Sequence, residues 1–244
     1  MRTRHSLFAT LAATVVLTAG CGGAASPGSA VRVGDDTVSL SQVNAMSQDY
    51  CDAQSDVFTA NNFVAPMSLI RAEAVRGVVM RTIGEQIASA YDVKPGSDYS
   101  RAVSSLRAQT ATLPEAQRDV VLEIEGSYAY LQDVSMQAAK LQLEQDGVKD
   151  PSREDIGAKA SDLFTHWADS HPVELDPRFD LTFKDGQFVP ADGGGSLSQP
   201  VGSAAEEAKI VSEFLNAEQL ERQSLQGKLA DYARSLPADQ RCGA

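Results

Sequence analysis

Histidine, cysteine and basic charge are all in short supply in this 244-residue chain. Of its 3 histidines, only His166 and His171 lie beyond the N-terminal head, and they stand five positions apart. A helical metal pair wants ligands four apart, and His171 precedes Pro172 at a predicted helix end, so no metal site is expected. The chain contains no Gly-x-Ser-x-Gly elbow, no Gly-Lys-Ser phosphate loop, no dinucleotide fingerprint and no His-Glu-x-x-His pair. Its carboxylates are scattered. Glu206-Glu207 and Asp35-Asp36 read as a solvated helix cap and a turn rather than an acid–base pair. No catalytic residue and no cofactor is expected, and the chain is read as a non-enzyme. Lys and Arg number 21 against 33 Asp and Glu. Binding to phosphate backbones or anionic lipid depends on excess Lys and Arg, so nucleic acid is a poor partner. Long apolar runs are missing too. The longest, Ser6 to Val16, is about a dozen residues, against the ~20 that span a bilayer.

What stands at the N-terminus is a short basic head, Arg2, Arg4 and His5, followed by that uncharged run, the pattern of an export signal. It ends in Leu17-Thr18-Ala19-Gly20-Cys21, which resembles the lipobox of bacterial lipoproteins, with Thr18 where Leu is commonest. The resemblance implies a signal peptide over residues 1–20, lipid transfer to the Cys21 thiol and cleavage before it. Bacterial lipoproteins carry two or three acyl chains of the palmitate type, enough for stable anchoring where one is marginal. The expected location is the extracytoplasmic face of the cell membrane. Residues 21–29, rich in Gly, Ala and Ser, read as a flexible tether. Cleavage removes Arg2 and Arg4, leaving 19 basic against 33 acidic residues.

Cys51 and Cys242 remain as an even pair in an oxidising compartment, where a disulfide persists. Bridging them closes a loop of nearly 190 residues, worth on the order of 4–5 kcal/mol in the chain-entropy model. The alternative is two buried free thiols.

At 43% hydrophobic and 22% charged the chain is globular. Val31-Arg32-Val33, Gly34-Asp35-Asp36 and Thr37-Val38-Ser39-Leu40 read as a hairpin. Ser41 then caps a helix running from Gln42 to about Val57, with a loop over 59–65 closed by Pro66. From Met67 to Tyr91, Val75, Val79, Ile83, Ile87 and Tyr91 recur every four residues as a helix face. Further helices are expected over 97–111, from Pro114 to Gln145 with Tyr128 among its inward residues, and from the Ser152 cap to His171. Val173, Leu175, Phe179, Leu181 and Phe183 alternate as one strand. Lys184-Asp185-Gly186-Gln187 is a hairpin turn, since Asp-Gly accepts positive φ. Residues 191–202 read as a loop and 203–235 as one helix burying Ile210, Phe214, Leu220, Leu225 and Leu229. Trp167 reads as core, with groove lining as the alternative. Arg178 reads as the ion-pair partner of an acidic residue at a turn, with a peptide-carboxylate clamp as the alternative. Met46, Met67, Met80 and Met136 are too few and too spread to form an adaptive stripe.

The fold expected is mainly α, with short N- and C-terminal strands that pair and a C-terminal helix. Val31-Arg32-Val33-Gly34 with its turn, Val38 and a capped helix resembles the opening of SurA-type exported foldases. Val173-Glu174-Leu175-Asp176-Pro177-Arg178-Phe179, with Leu197-Ser198 beyond it, is similar to the closing strand of their actinobacterial relatives. The resemblance covers roughly Ala30 to Ser198, which gives residues 30–202 as a SurA-N-like domain, with 203–244 as a helix and tail packed on it. It implies pairing of the first and last segments around a helical cradle for unfolded polypeptide. The parvulin isomerase domain of SurA and PrsA has no counterpart here, so isomerase activity is not expected. Two functions follow as expectations. One is a lipid-anchored holdase that binds unfolded or extended chains through Phe58, Phe63, Trp167 and Phe179. The other is an adaptor lipoprotein docking one cell-envelope partner through the 203–235 helix. The lipid assignment predicts that Cys21→Ser releases the protein from membranes into the soluble fraction. A wild-type chain equally soluble after fractionation, or an N-terminus other than a lipidated Cys21, would refute it.

Overall fold

The computed structural model describes residues 28–191, 209–211, 213–215 and 217–243. The signal segment, Cys21, the tether up to residue 27, Leu197-Ser198, most of the 191–202 loop and the start of the 203–235 helix lie outside the described residues. The fold is mainly α with a few short strands.

Ser29–Val33 (β1) and Asp36–Ser39 (β2) form the N-terminal hairpin. The first helix, Leu40–Ala60 (α1), starts two residues earlier than expected. Ser39 is the cap: its hydroxyl accepts the Gln42 N–H at 3.2 Å, and Gln42 Oε1 accepts the Ser39 N–H at 3.0 Å. That is a complete capping box, which satisfies two helix-end donors, and Ser41 has no such partner three residues on. After Ala65–Pro66 (β3) come Met67–Ala90 (α2), Ser97–Gln109 (α3), Glu115–Gln145 (α4) and Arg153–Ser170 (α5). Ser152 caps α5 in a second box, closed by Asp155.

The expected single strand over 173–183 is two strands. Val173–Leu175 (β4) pairs antiparallel with β1, Val33 facing Val173 and Val31 facing Leu175, so the sheet order is β2-β1-β4. The chain then leaves the sheet because Pro177 has no N–H to donate and Asp176 Oδ1 captures the Arg178 N–H at 2.9 Å. One 3-10 turn, Pro177–Phe179, ends at Asp180 with φ +51°. Leu181–Lys184 (β5) and Gln187–Pro190 (β6) then make their own hairpin. Its two turn residues, Asp185 and Gly186, both have positive φ, as a type I′ turn requires. The C-terminal helix, Gln219–Ser235 (α6), is not continuous with the residues before it, because Ala217 and Glu218 are not helical. The Arg222 side chain occupies that break, donating to Ala217 O at 2.9 Å and Leu215 O at 3.2 Å. With the break, Leu220 is 83% exposed while Leu225 and Leu229 are buried. Arg241–Cys242 (β7) pairs with β3, and Cys242 is joined to Cys51 by a disulfide with Cα atoms 5.6 Å apart.

Helix α2 is the axis of the molecule. Val75, Val79, Ile83 and Ile87 are wholly buried, and residues on its other faces are buried too, since α1, α4, α5 and β1 surround it. Gly77 and Gly84 lie seven apart, on the face turned to α4. A Cβ on Gly77 would stand 2.9 Å from Ile124 Cα, and one on Gly84 2.8 Å from the Tyr130 ring. The absent side chains let the two helices touch almost backbone to backbone. The α4 stripe that meets them is Val120, Ile124, Ser127, Leu131, Val134 and Ala138. Tyr128, expected inward, is 65% exposed. A second cluster gathers Ile70, Leu215, Leu229 and the disulfide around β3 and β7.

Gly77→Ala is expected to lose about 1–3 kcal/mol in urea unfolding, because overpacking against backbone outweighs the gain in helix propensity. Gly157→Ala on α5, where a Cβ meets nothing within 4 Å, should instead gain about 0.5–1 kcal/mol.

Candidate functional site

The four candidate aromatics do not form one surface. Phe58, near the end of α1, and Phe63, in the turn after it, meet edge to face with centroids 5.2 Å apart. The Phe63 N–H donates to Phe58 O at 2.9 Å, which sets the turn, and Asn62 there has φ +50°. Both rings are half-buried against the second cluster. The tail passes close to them: a Cβ on Gly243, at φ +90°, would stand 2.8 Å from Phe63 O and 3.2 Å from Phe58 Cβ. Arg234 of α6 donates to Asn62 O at 2.9 Å and to Asp231 at 3.0 Å. Between the end of α1 and α6 lies an open groove of about 630 Å³ with Val57, Phe58, Phe63, Leu69 and Phe214 as its apolar lining. Val57 is 52% exposed there. Asn61, Asn62, Gln226, Asp231 and Arg234 form the polar part of the lining.

Trp167 sits elsewhere and is a structural residue. Its ring is half-buried against the main core and stacks on His171 at 4.1 Å, while its Nε1–H donates to Gln86 Oε1 at 3.1 Å. Gln86 Nε2 in turn donates to Val33 O at 2.9 Å and Asp36 Oδ2 at 2.7 Å. One amide therefore ties α2 to the hairpin and to α5. Phe179, half-buried in the 3-10 turn, bridges the two clusters and lines a separate cavity of about 170 Å³ beside Arg71 and Tyr232. Arg178 pairs with Asp176 at 3.3 Å, and the Asp176 N–H donates to Ala30 O, so this pair holds the turn against β1.

A polar cluster that the sequence did not single out lies one to two turns before Phe58 along α1. The Tyr50 hydroxyl donates to Glu125 Oε1 at 3.0 Å, and Gln54 Nε2 donates to the same oxygen at 2.9 Å. Burial, with the Glu125 carboxylate beside it, holds the Tyr50 phenol well above its usual range, so it remains a donor. Arg76 and Arg222 converge nearby in a cavity of about 370 Å³. No short motif carries these residues: 146 positions separate the two arginines, and only the folded chain joins them. Among the described residues, no group of His, Cys, Asp or Glu could hold a metal ion, and no helix is long and apolar enough to cross a membrane. No protein-family model, curated protein or solved structure matches the chain.

Trp167→Phe keeps most of the ring but leaves Gln86 Oε1 without its donor. It should cost about 1–3 kcal/mol of stability in denaturant unfolding, the range for stranding one buried polar atom. Binding of any polypeptide ligand should not change; a loss of binding at full stability would return Trp167 to the site.

Proposed function

We propose that this protein is a lipid-anchored, extracytoplasmic polypeptide-binding protein of SurA-N type that holds apolar stretches of extended chains without isomerase activity. The observation that carries this is the groove between the end of α1 and α6, where Phe58, Phe63, Val57 and Phe214 offer an apolar floor. The amides of Asn61, Asn62 and Gln226 stand where a bound chain needs partners for its N–H and C=O groups, which an apolar ligand would not use. The excess of acidic over basic residues favours segments flanked by Lys or Arg.

A second reading has its own support. Among the described residues, the large hydrophobic side chains that stand exposed are Val57, Tyr128, Val148 and Leu220. That is little apolar surface for a general holdase, whose clients differ in shape. Leu220, the most exposed of them, projects from the first turn of α6 as a single anchor would on an adaptor docking one envelope partner.

Aggregation of several unrelated unfolded proteins, followed by light scattering with stoichiometric amounts of this protein, separates the two. Suppression across substrates, lost several-fold in Phe58→Ser/Phe63→Ser with the fold intact by circular dichroism, is the expected result. Suppression of none, with one envelope protein captured stoichiometrically and released by Leu220→Asp, would establish the adaptor instead.

A further inference from the structure

The cavity that holds Arg76 and Arg222 adjoins a second one, and the pair has the chemistry of a carboxylate site with an apolar extension. At the charged end, Arg76 is under-compensated. Its Nε is buried with no hydrogen-bond partner among the described residues. Its Nη atoms reach Glu73 at 3.6 Å and Leu215 O at 3.4 Å, both long, and its guanidinium lies over the Phe188 ring at 5.5 Å. The like charge of Arg222 faces it, and that guanidinium is already fixed on the Leu215 and Ala217 carbonyls. Burial holds the Arg76 guanidinium below the usual arginine value; Glu73 opposes that shift and Arg222 adds to it. Two guanidiniums that face each other, Arg76 half-buried and Arg222 exposed, with Glu73 at 3.6 Å as the one weak counter-ion, gain from an anion between them. Glu125 does not serve, because its Oε1 is engaged by Tyr50 and Gln54.

Beyond this end, Met80 and Tyr128 form a common wall with a cavity of about 290 Å³ lined by Leu131, Met136, Ala160 and Phe164. Tyr128 is the exposed ring between the two. Helix α4 lines both, from Ile124 to Met136. Those twelve steps are about 18 Å of helix, the reach of about five extended residues. The walls are not uniformly apolar: Ser127, Gln132, Ser135 and Ser161 lie along the run, and the Ser135 hydroxyl is buried without a partner among the described residues. A chain with backbone amides can use such groups, whereas an acyl chain would only desolvate them. Along α6, Arg222 lies one turn from Gln226 of the Phe58–Phe63 groove, so the site is continuous with the surface proposed to bind polypeptide.

We propose that these joined cavities bind the free C-terminus of an extended polypeptide, its carboxylate between Arg76 and Arg222 and an apolar side chain of its last residues beyond Tyr128. This rests on the polypeptide-binding reading and adds an end-specific clamp to it. The test is fluorescence anisotropy on the full chain with its disulfide formed. The probes are an N-terminally labelled peptide ending in Leu-Ala-Phe with a free carboxylate, and the same peptide as its C-terminal amide. The free acid should bind about tenfold or more tightly than the amide. Arg76→Gln and Arg222→Gln should each reduce that difference to about twofold or less. Because Arg76 lies in the central helix, Arg222→Gln on the outer one is the decisive variant if the first does not fold. Ala160→Phe should weaken the free acid by filling the apolar end, and Arg101→Gln, which removes an exposed guanidinium on α3, should leave the acid–amide difference intact. Equal binding of acid and amide, no binding of either, uptake of palmitate in place of both, or a difference that survives Arg222→Gln would each overturn the clamp. Failure of aggregation suppression alongside a preserved acid–amide difference would overturn the holdase and leave the clamp standing.

Discussion

The contact between α2 and α4 at Gly77 and Gly84 sets most of what else this molecule can do. A helix buried over most of its surface must be enclosed by several neighbours, and here the nearest of them comes within backbone distance. Arg76 and Met80 flank Gly77 on α2, and Ile124, Glu125 and Tyr128 face them from α4. The same missing side chains that pack the core therefore fix the spacing between the guanidinium and the rings around it. A helix pair held further apart by even one methyl group would change that cavity as well as the core.

Two closures finish the frame. At one end β1 is caught between β2 and β4, and Gln86 hydrogen-bonds this sheet and Trp167 together. At the other, β3 and β7 pair beside the disulfide. The four candidate aromatics, Phe58, Phe63, Trp167 and Phe179, are half-buried and do not share one open surface. Each therefore contributes to stability as well as offering an edge to a ligand, and the apolar surface available is a set of narrow grooves.

How much of this was legible in the sequence follows from the range of each interaction. Helix α5 could be placed from Ser152 and Pro172, and the β5–β6 turn from Asp185-Gly186, because caps and turns are local chemistry. The cap of α1 was equally local and was misplaced by two residues; Gln42 stands three after Ser39, and that pairing decides between the two serines. Tyr128 and Leu220 were assigned inward for a different reason. The four-residue step from Ile124 to Tyr128 drifts off the buried face of a 3.6-residue helix, so α4 buries Ser127 in place of Tyr128 while Leu131 lies inward as expected, and the break at Ala217 resets the face of α6. The strand over 173–183 kept its alternation across Pro177, which hid a change of sheet. Gly77 and Gly84 carry no signal of their own in the sequence pattern, because their role is set by the α4 backbone packed against them. Of the candidate site, the sequence named Phe58 and Phe63 but not Val57, Leu69 or Phe214 beside them. It gave no sign of Arg76 facing Arg222, since no local pattern encodes a contact across that much chain.

The bridge from Cys51 to Cys242 also imposes an order in time. A chain emerges N-terminus first, and 191 positions separate the two cysteines. Until the later one arrives, α1 carries an unpaired thiol, the α6 wall does not exist, and Phe58 and Phe63 stand uncovered. β1 likewise waits for β4 across the whole helical body. The residues proposed to receive foreign chains thus spend the assembly period open to their own, and the segment that finally settles beside them is the one carrying Cys242 and Gly243. On that proposal, the first polypeptide this groove meets belongs to the same molecule.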